Sequence, residues 1–212
     1  MLIALVLVVT ITGLTIGGQF SNDEDLRDES EKIRRALYFM SDEAALKNAV
    51  IRIHFMLDRA PQEYAVEYGP SDSFILPPDP ELDGKVLTKE EEEKVTKAKK
   101  ELNLKFNKIK EFQETNTEIS DSVKILGIGT ASAKALKTTG DVSIYAFPTG
   151  EKDDALIIVA DEEAIISLEV DPFGQKVDSK VTRVEAVGSR EINDVLNEKA
   201  KEIFETWLRD KK

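Results

Sequence analysis

The sequence predicts an α+β fold in which a long N-terminal helix lies against an antiparallel β-sheet, with an inserted helix and a C-terminal helix. A helical pattern runs from the start of the chain to about residue 48, and alternating apolar and polar residues mark strands after it. With 212 residues, 41% of them hydrophobic, the chain can form one core of ordinary size. We therefore expect an apolar helix at 1–20, one soluble domain at 21–188 and a terminal helix at 189–212.

The first twenty residues contain no charged side chain, and residues 2–16 read LIALVLVVTITGLTI. This run is close to the roughly 20 apolar residues that a helix needs to span a bilayer. No Lys or Arg precedes it, which disfavours a cleavable secretory signal. The segment therefore predicts a membrane helix, in which the small residues permit close approach of another helix, and a plain membrane anchor is the alternative.

A helical pattern continues after the polar residues Ser21 and Asn22. Apolar residues recur on one face at Leu26, Ile33, Leu37, Met40 and Ala44. A continuous helix over residues 2–48 would be about 70 Å long. The sequence thus predicts one helix with an apolar half followed by an amphipathic half.

A β-hairpin is predicted over residues 50–68. Ile51, Ile53 and Phe55 alternate with polar residues, and Tyr64 and Val66 repeat the pattern after a short loop. His54, the only histidine, falls on the polar face of the first strand. A lone histidine does not make a metal site or a catalytic triad, so we expect a solvated strand residue.

A charged helix is predicted to begin at Thr88, because Thr88 and Glu91 have the spacing of a capping box, and to end at about residue 114. Its apolar stripe comprises Val95, Ala98, Leu102, Phe106, Ile109 and Phe112. We expect this helical insertion, at about 78–117, to pack on the sheet of its own domain. A contact for a neighbouring subunit is the alternative.

The remaining elements are a strand, a hairpin and a terminal helix. The glycine-containing stretch 126–130 lacks the residues of a phosphate loop and is predicted to be a strand and turn. Residues 171–174, with sequence DPFG, predict a turn joining two strands. The apolar spacing after Ile192 predicts an amphipathic helix, which packs on the domain or binds a partner helix.

Composition excludes several functional classes. The 29 basic and 41 acidic residues give a formal charge of −12, which opposes binding to nucleic acid. No cysteine is present, so thiolate nucleophiles and cysteine-ligated metals are excluded. The many carboxylates are not paired in a recognisable hydrolase site. We therefore predict no catalytic residue, no cofactor and no metal site, and we do not expect an enzyme.

Several stretches together resemble a known family by their order along the chain. These are residues 1–14, 26–47, 50–68, 142–160 and 166–177. They resemble the type IV pilin superfamily, in particular the H-type minor pseudopilins of type II secretion systems and related minor type IV pilins. Mature chains of that family begin with a motif like F-T-L-I-E, and residues 1–14 are similar to this start when Met1 takes the threonine position.

Two features depart from the family pattern. Ala4 stands where the family usually has a glutamate, and the family's leader peptide with its processing site is missing, as expected of a mature or truncated chain. The resemblance also leaves residues 77–119 and 189–212 uncovered. The first departure puts the family's usual assembly contact in doubt.

The resemblance implies a structural subunit near the tip of a type II secretion pseudopilus or a type IV pilus, acting in protein secretion across the outer membrane. The implied partners are other pilin-like subunits, the inner-membrane assembly platform and, before assembly, membrane lipid. The implied location is the bacterial inner membrane, with a single span and a periplasmic domain. The alternative is a membrane-anchored periplasmic binding module that enters no filament. The residues implied to form the filament core are Leu2, Ile3, Ala4, Leu5, Val8, Val9 and Thr12.

Overall fold

A computed structural model describes residues 2–71, 88–109, 117–185 and 191–211, with side chains from residue 24 onward except at 71 and 92. In these ranges the chain is α+β, with an N-terminal helix, antiparallel sheets and a C-terminal helix, as predicted. The helices are α1 (Leu2–Lys47), α2 (Lys89–Asn103) and α3 (Ile192–Asp210). The strands are β1 (Ala49–Met56), β2 (Glu63–Ser71), β3 (Asn107–Lys108), β4 (Lys124–Thr130), β5 (Leu136–Lys137), β6 (Asp141–Ala146), β7 (Ala155–Ala160), β8 (Ala164–Val170) and β9 (Val177–Arg183).

The strands form two antiparallel sheets, where the sequence predicted one. The first sheet has the order β3-β2-β1-β6 and the second has the order β5-β4-β7-β8-β9. The predicted β1–β2 hairpin is confirmed, with Ile53 opposite Val66. The chain crosses between the sheets three times, after β3, after β5 and after β6. Periodicity marks the strands but not these long-range pairings, which is why the second sheet was missed.

Helix α1 continues without interruption for 46 residues, so the predicted continuous helix is confirmed. Its predicted apolar face is buried, from Leu26 to Ala44. This face packs against the inner faces of both sheets, where Ile53, Ile144 and Ile157 belong to the same core cluster. The amphipathic half of α1 is therefore the centre of the domain rather than a cover on one side.

The second sheet is covered on both faces. Along β7 the residues alternate between the α1 side, with Ile157, and the α3 side, with Leu156 and Ile158. This double burial explains the unbroken apolar sequence of β7. Helix α3 packs on the outer face through residues that the sequence left without an assigned partner, namely Leu196, Ala200, Phe204 and Trp207.

Gly129 in β4 allows α3 to approach closely. A Cβ atom at this position would lie 2.1 Å from the Phe204 ring, so a side chain here would force that ring out of its place. The glycines of residues 126–130 therefore serve close packing, and the strand predicted for this stretch is confirmed as β4. The DPFG turn is also confirmed, since Asp171 Oδ1 accepts hydrogen bonds from the backbone of Phe173 and Gly174 between β8 and β9.

The inserted helix is shorter than predicted. The capping box of Thr88 and Glu91 is present, but α2 ends at Asn103. Phe106 and Ile109 are not on its stripe, because the chain after α2 pairs with β2 as β3 and places Ile109 in the central core. The prediction of a helix to residue 114 was wrong, since helical spacing alone does not reveal a tertiary strand pairing. Phe112 lies outside the described residues.

Candidate functional site

The residues predicted for a filament core, from Leu2 to Thr12, belong to α1. The structure describes the backbone of this part of the helix but not its side chains. Contacts among them therefore stay predictions. Within the described part of the chain, no helix has the length and apolar character needed to cross a membrane.

A cavity of about 420 Å³ lies on the first sheet, at the face that carries Arg52 and His54. Helix α2 forms one wall, the outer face of β1 and β6 forms the floor, and the chain from β4 to β5 forms the opposite wall. Apolar side chains, including Val95, Leu102, Ala133 and Tyr145, contribute to all three sides. A volume of this size is typical of small-molecule sites.

Arg52 and Glu67 form a buried ion pair beside the cavity. Arg52 Nη2 lies 2.6 Å from Glu67 Oε2, and Nε donates to the same oxygen at 2.7 Å. The guanidinium group also donates to Asn103 at the end of α2 and stacks 4.0 Å from the Phe106 ring centroid. All three guanidinium nitrogens have a partner, so Arg52 fixes the chain after α2 onto the sheet.

His54 is buried, with 8% of its surface exposed, so the prediction of a solvated residue was wrong. It lies on the predicted polar face of β1, but the chain around α2 covers that face. Its Nδ1 lies 2.9 Å from the Ser143 hydroxyl oxygen on β6, the residue directly opposite in the strand register. Burial, helped by the nearby charge of Arg52, lowers the His54 pKa from its usual 6.5. The imidazole is therefore neutral at physiological pH.

Asp141 completes a set of serine, histidine and aspartate side chains on one wall of the cavity. Its Oδ2 lies 3.7 Å from His54 Nε2, which is too long for a hydrogen bond, and its side chain is 58% exposed. In a hydrolytic triad the carboxylate is buried and fixes the imidazole by a hydrogen bond. The geometry here is that of a cross-strand hydrogen bond between His54 and Ser143.

Asp153, just before β7, is the second carboxyl group in the cavity lining. Burial raises its pKa to about 6, although a hydrogen bond from the Tyr145 backbone N–H partly offsets this effect by stabilising the carboxylate. Asp153 therefore carries a variable charge near neutral pH. It is linked to the floor of the cavity through the backbone of β6.

Three lysines line the cavity as well, Lys94 and Lys99 from α2 and Lys137 from β5. The lining also includes the carboxyl groups of Asp141 and Asp153, and the charge of Arg52 is balanced by Glu67. The cavity lining therefore carries charged groups of both signs.

Sequence analysis missed this site because its parts are far apart in the chain. The signal available was the pair Arg52 and His54 on the polar face of one strand. Their partners Ser143 and Asn103 lie 89 and 51 residues further along the chain. Only the pairing of β1 with β6 and the position of α2 bring these groups together.

No group of metal-ligating side chains occurs among the described residues. Compared with known protein families, with curated proteins and with solved structures, the chain matches none.

Proposed function

We propose that the protein is a minor pilin-like subunit, in which the first half of α1 packs in the core of a filament and the double-sheet domain lies outside it. The proposal includes a location in the bacterial inner membrane before assembly, with the domain in the periplasm. It names a role in a secretion pseudopilus or a pilus tip and assigns no catalytic residue.

The observation that carries the proposal is that α1 joins two different segments in one helix. Residues 24–47 are part of the domain, with Leu26 only 1% exposed, whereas residues 1–20 have no charged side chain. The first half of the helix is therefore chemically suited to an apolar environment. The second half of α1 is held firmly in the domain, since it contacts both sheets.

Ala4 distinguishes this chain from the family pattern it resembles. A buried carboxylate at that position is costly unless it is paired. With Ala4 the protein avoids this cost, but it also lacks the attraction that a paired carboxylate would provide. Its incorporation into a filament therefore depends on the packing of apolar residues such as Leu5 and Val9 and on its domain.

The test is incorporation of full-length variants into a filament with other pilin-like subunits, measured by cross-linking and copurification. We expect Val8→Asp to abolish incorporation, because it places an unpaired charge in the apolar segment. Ala4→Glu should be tolerated. Membrane fractionation of the parent chain should recover it with the lipid phase.

Arg27→Asp is the matched control, since it introduces the same aspartate at an exposed position of α1 within the domain. It should assemble like the parent. Assembly of Val8→Asp at the parent level would exclude a filament-core role for the helix, and recovery of the parent chain from the aqueous phase without detergent would exclude the membrane location.

The cavity under α2 favours a second candidate function, that of a membrane-anchored periplasmic binding module. Such a protein would need the same helix but would never copurify with other pilin-like subunits. Copurification with such subunits therefore separates the two candidates.

A further inference from the structure

We propose that the cavity under α2 binds a small uncharged molecule that has an apolar body and a carbonyl oxygen. Such a ligand would serve the binding module considered above, and it is equally compatible with a filament subunit, because every group that forms the site belongs to the domain. Only binding is involved, without a covalent step.

Helix α2 forms a roof over the cavity instead of packing closely on the sheet. Unlike α1 and α3, it makes hardly any close backbone approach to a described strand. Its last residue, Asn103, accepts a hydrogen bond from Arg52, and its first half is held by the buried side chain of Val95. Between these two points Ala98 is exposed and lines the cavity. A ligand with an apolar body would cover Ala98 and gain the free energy of removing apolar surface from water.

His54 supplies a hydrogen-bond donor in the cavity lining. Its Nδ1 lies 2.9 Å from the Ser143 hydroxyl oxygen, and the Asp141 carboxylate lies 3.7 Å from its Nε2. A negative charge beside Nε2 favours the neutral tautomer that carries its hydrogen there, so Nδ1 accepts the hydrogen bond from Ser143. The Nε2–H group makes no hydrogen bond with a described residue. This group is therefore available to a hydrogen-bond acceptor on a ligand.

The charged groups around the cavity favour an uncharged acceptor. A carboxylate bound at His54 Nε2 would lie next to Asp141 and be repelled by it, and Asp153 adds a second carboxyl group to the lining. An ammonium group would bring its own donors against the donor at Nε2. Lysine side chains also line the cavity, so the lining as a whole favours neither sign of ligand charge. A carbonyl oxygen accepts the hydrogen bond without bringing a charge into a partly buried site.

The probe is para-fluoro-N,N-dimethylbenzamide, which joins an aromatic ring to a carbonyl group and has no hydrogen-bond donor. Its charged counterparts are para-fluoro-N,N-dimethylbenzylamine, a cation with a methylene group in place of the carbonyl group, and para-fluorophenylacetate, an anion. Binding to the full chain in lipid nanodiscs is followed by fluorine NMR, with empty nanodiscs as the blank. We expect saturable binding of the benzamide with a Kd of about 1 mM or tighter, as is usual for a ligand of about twelve non-hydrogen atoms. The two charged compounds should bind at least about tenfold more weakly.

Isotope-labelled histidine gives a second, independent signal, because His54 is the only histidine in the chain. The nitrogen NMR shifts of the free protein near neutral pH should show that the ring hydrogen is on Nε2. Addition of the benzamide should shift the Nε2 signal more than the Nδ1 signal.

Two pairs of variants locate the site. Ala98→Trp fills the cavity and should raise the Kd of the benzamide at least about tenfold, whereas Thr96→Trp places the same ring at an exposed position outside the lining and should raise it less than about twofold. His54→Asn keeps an amide nitrogen near the position of Nδ1 but has no atom at Nε2. It should weaken binding about threefold to tenfold, the effect of one hydrogen bond. His54→Gln places an amide nitrogen near the position of Nε2 and should recover much of this loss. Chemical denaturation shows whether each variant remains cooperatively folded.

Four results would overturn the proposal. Absence of saturable benzamide binding above the blank, or binding that Ala98→Trp leaves unchanged, would show that the cavity is not the site. Equal or tighter binding of either charged compound would show that the site does not prefer an uncharged ligand. A ring hydrogen on Nδ1, or equal binding by His54→Asn and His54→Gln, would remove the role of the Nε2–H donor. None of these readouts depends on filament assembly, so their failure is distinguishable from a failure of the proposed function.

Discussion

The two amphipathic helices α2 and α3 cover the outer faces of the two sheets in different ways. Helix α3 makes an apolar contact in which Phe204 packs directly on Gly129, within a cluster that contains the apolar outer residues of β4, β7 and β8. Helix α2 covers a face that carries Arg52 and His54, and a cavity separates much of its stripe from the sheet. The strand beneath, rather than the helix, determines which kind of contact forms.

This difference has an energetic meaning. The outer residues of β7 gain free energy when they leave water, so α3 contributes to the stability of the whole domain. The outer residues of β1 lose hydration when they are covered, and this loss must be offset by the Arg52–Glu67 pair and by the His54–Ser143 hydrogen bond. A polar sheet face such as that of β1 therefore contributes less to stability and is better suited to binding polar groups.

Deleting α2 or α3 should give the largest difference in stability between the two helix contacts. Ending the chain at residue 190 removes three large buried side chains of α3, Leu196, Phe204 and Trp207. At about 1.5–3 kcal/mol each, their loss is comparable with the whole stability of a domain, about 5–15 kcal/mol. We expect loss of cooperative unfolding in chemical denaturation.

Replacing residues 88–104 by a Gly/Ser linker is the counterpart, and it should leave a cooperatively unfolding domain, because changes in loop closure cost little. A wider replacement over 78–117 would also remove β3 and Ile109, which is 1% exposed, and should be much more damaging. Equal effects of the α2 and α3 deletions would show that the contrast between the helices is wrong.

Most of the fold was predictable from the sequence because local signals are strong in it. The helical spacing of α1, the alternation of β1 and the DPFG turn each depend on a few neighbouring residues. The second sheet and the end of α2 were not predictable, because they depend on pairings such as Tyr68 with Asn107 and Gly129 with Leu156. The cavity was missed for the same reason, since His54 looks like a surface residue until α2 is placed above it.

Glu67→Ala tests the buried charges under α2. It leaves Arg52 buried without its carboxylate, and we expect a loss of about 3–5 kcal/mol in the free energy of unfolding. Replacing both partners, as Arg52→Met with Glu67→Leu, should restore much of this loss. The control on α3 is Glu202→Ala, which breaks an exposed pair with Lys199 and should cost less than about 0.5 kcal/mol. Similar losses of stability for Glu67→Ala and Glu202→Ala would contradict the proposed difference between the contacts of α2 and α3.

Asp153→Asn should give the smallest effect and a distinctive pH dependence. The pKa of Asp153 is about 6 in the folded protein against an ordinary value of 3.8, so between these values the folded state binds more protons than the unfolded state. The parent therefore loses stability as the pH rises through this window, and asparagine removes that loss. The stability advantage of the variant should be about 1 kcal/mol larger at about pH 7.5 than at about pH 5. An advantage that does not change with pH would show that Asp153 is not the titrating group.

The position of α1 between the two sheets also has a mechanical consequence. A pulling force applied to the first residues of this helix travels along its axis into the domain, where Leu26, Ile33 and Met40 lie in the central core and α1 contacts strands of both sheets. The force therefore acts as shear on the whole apolar face at once and does not peel one residue after another. A rod clamped in this way resists extraction far better than one lying on the surface, and the load is shared by both sheets.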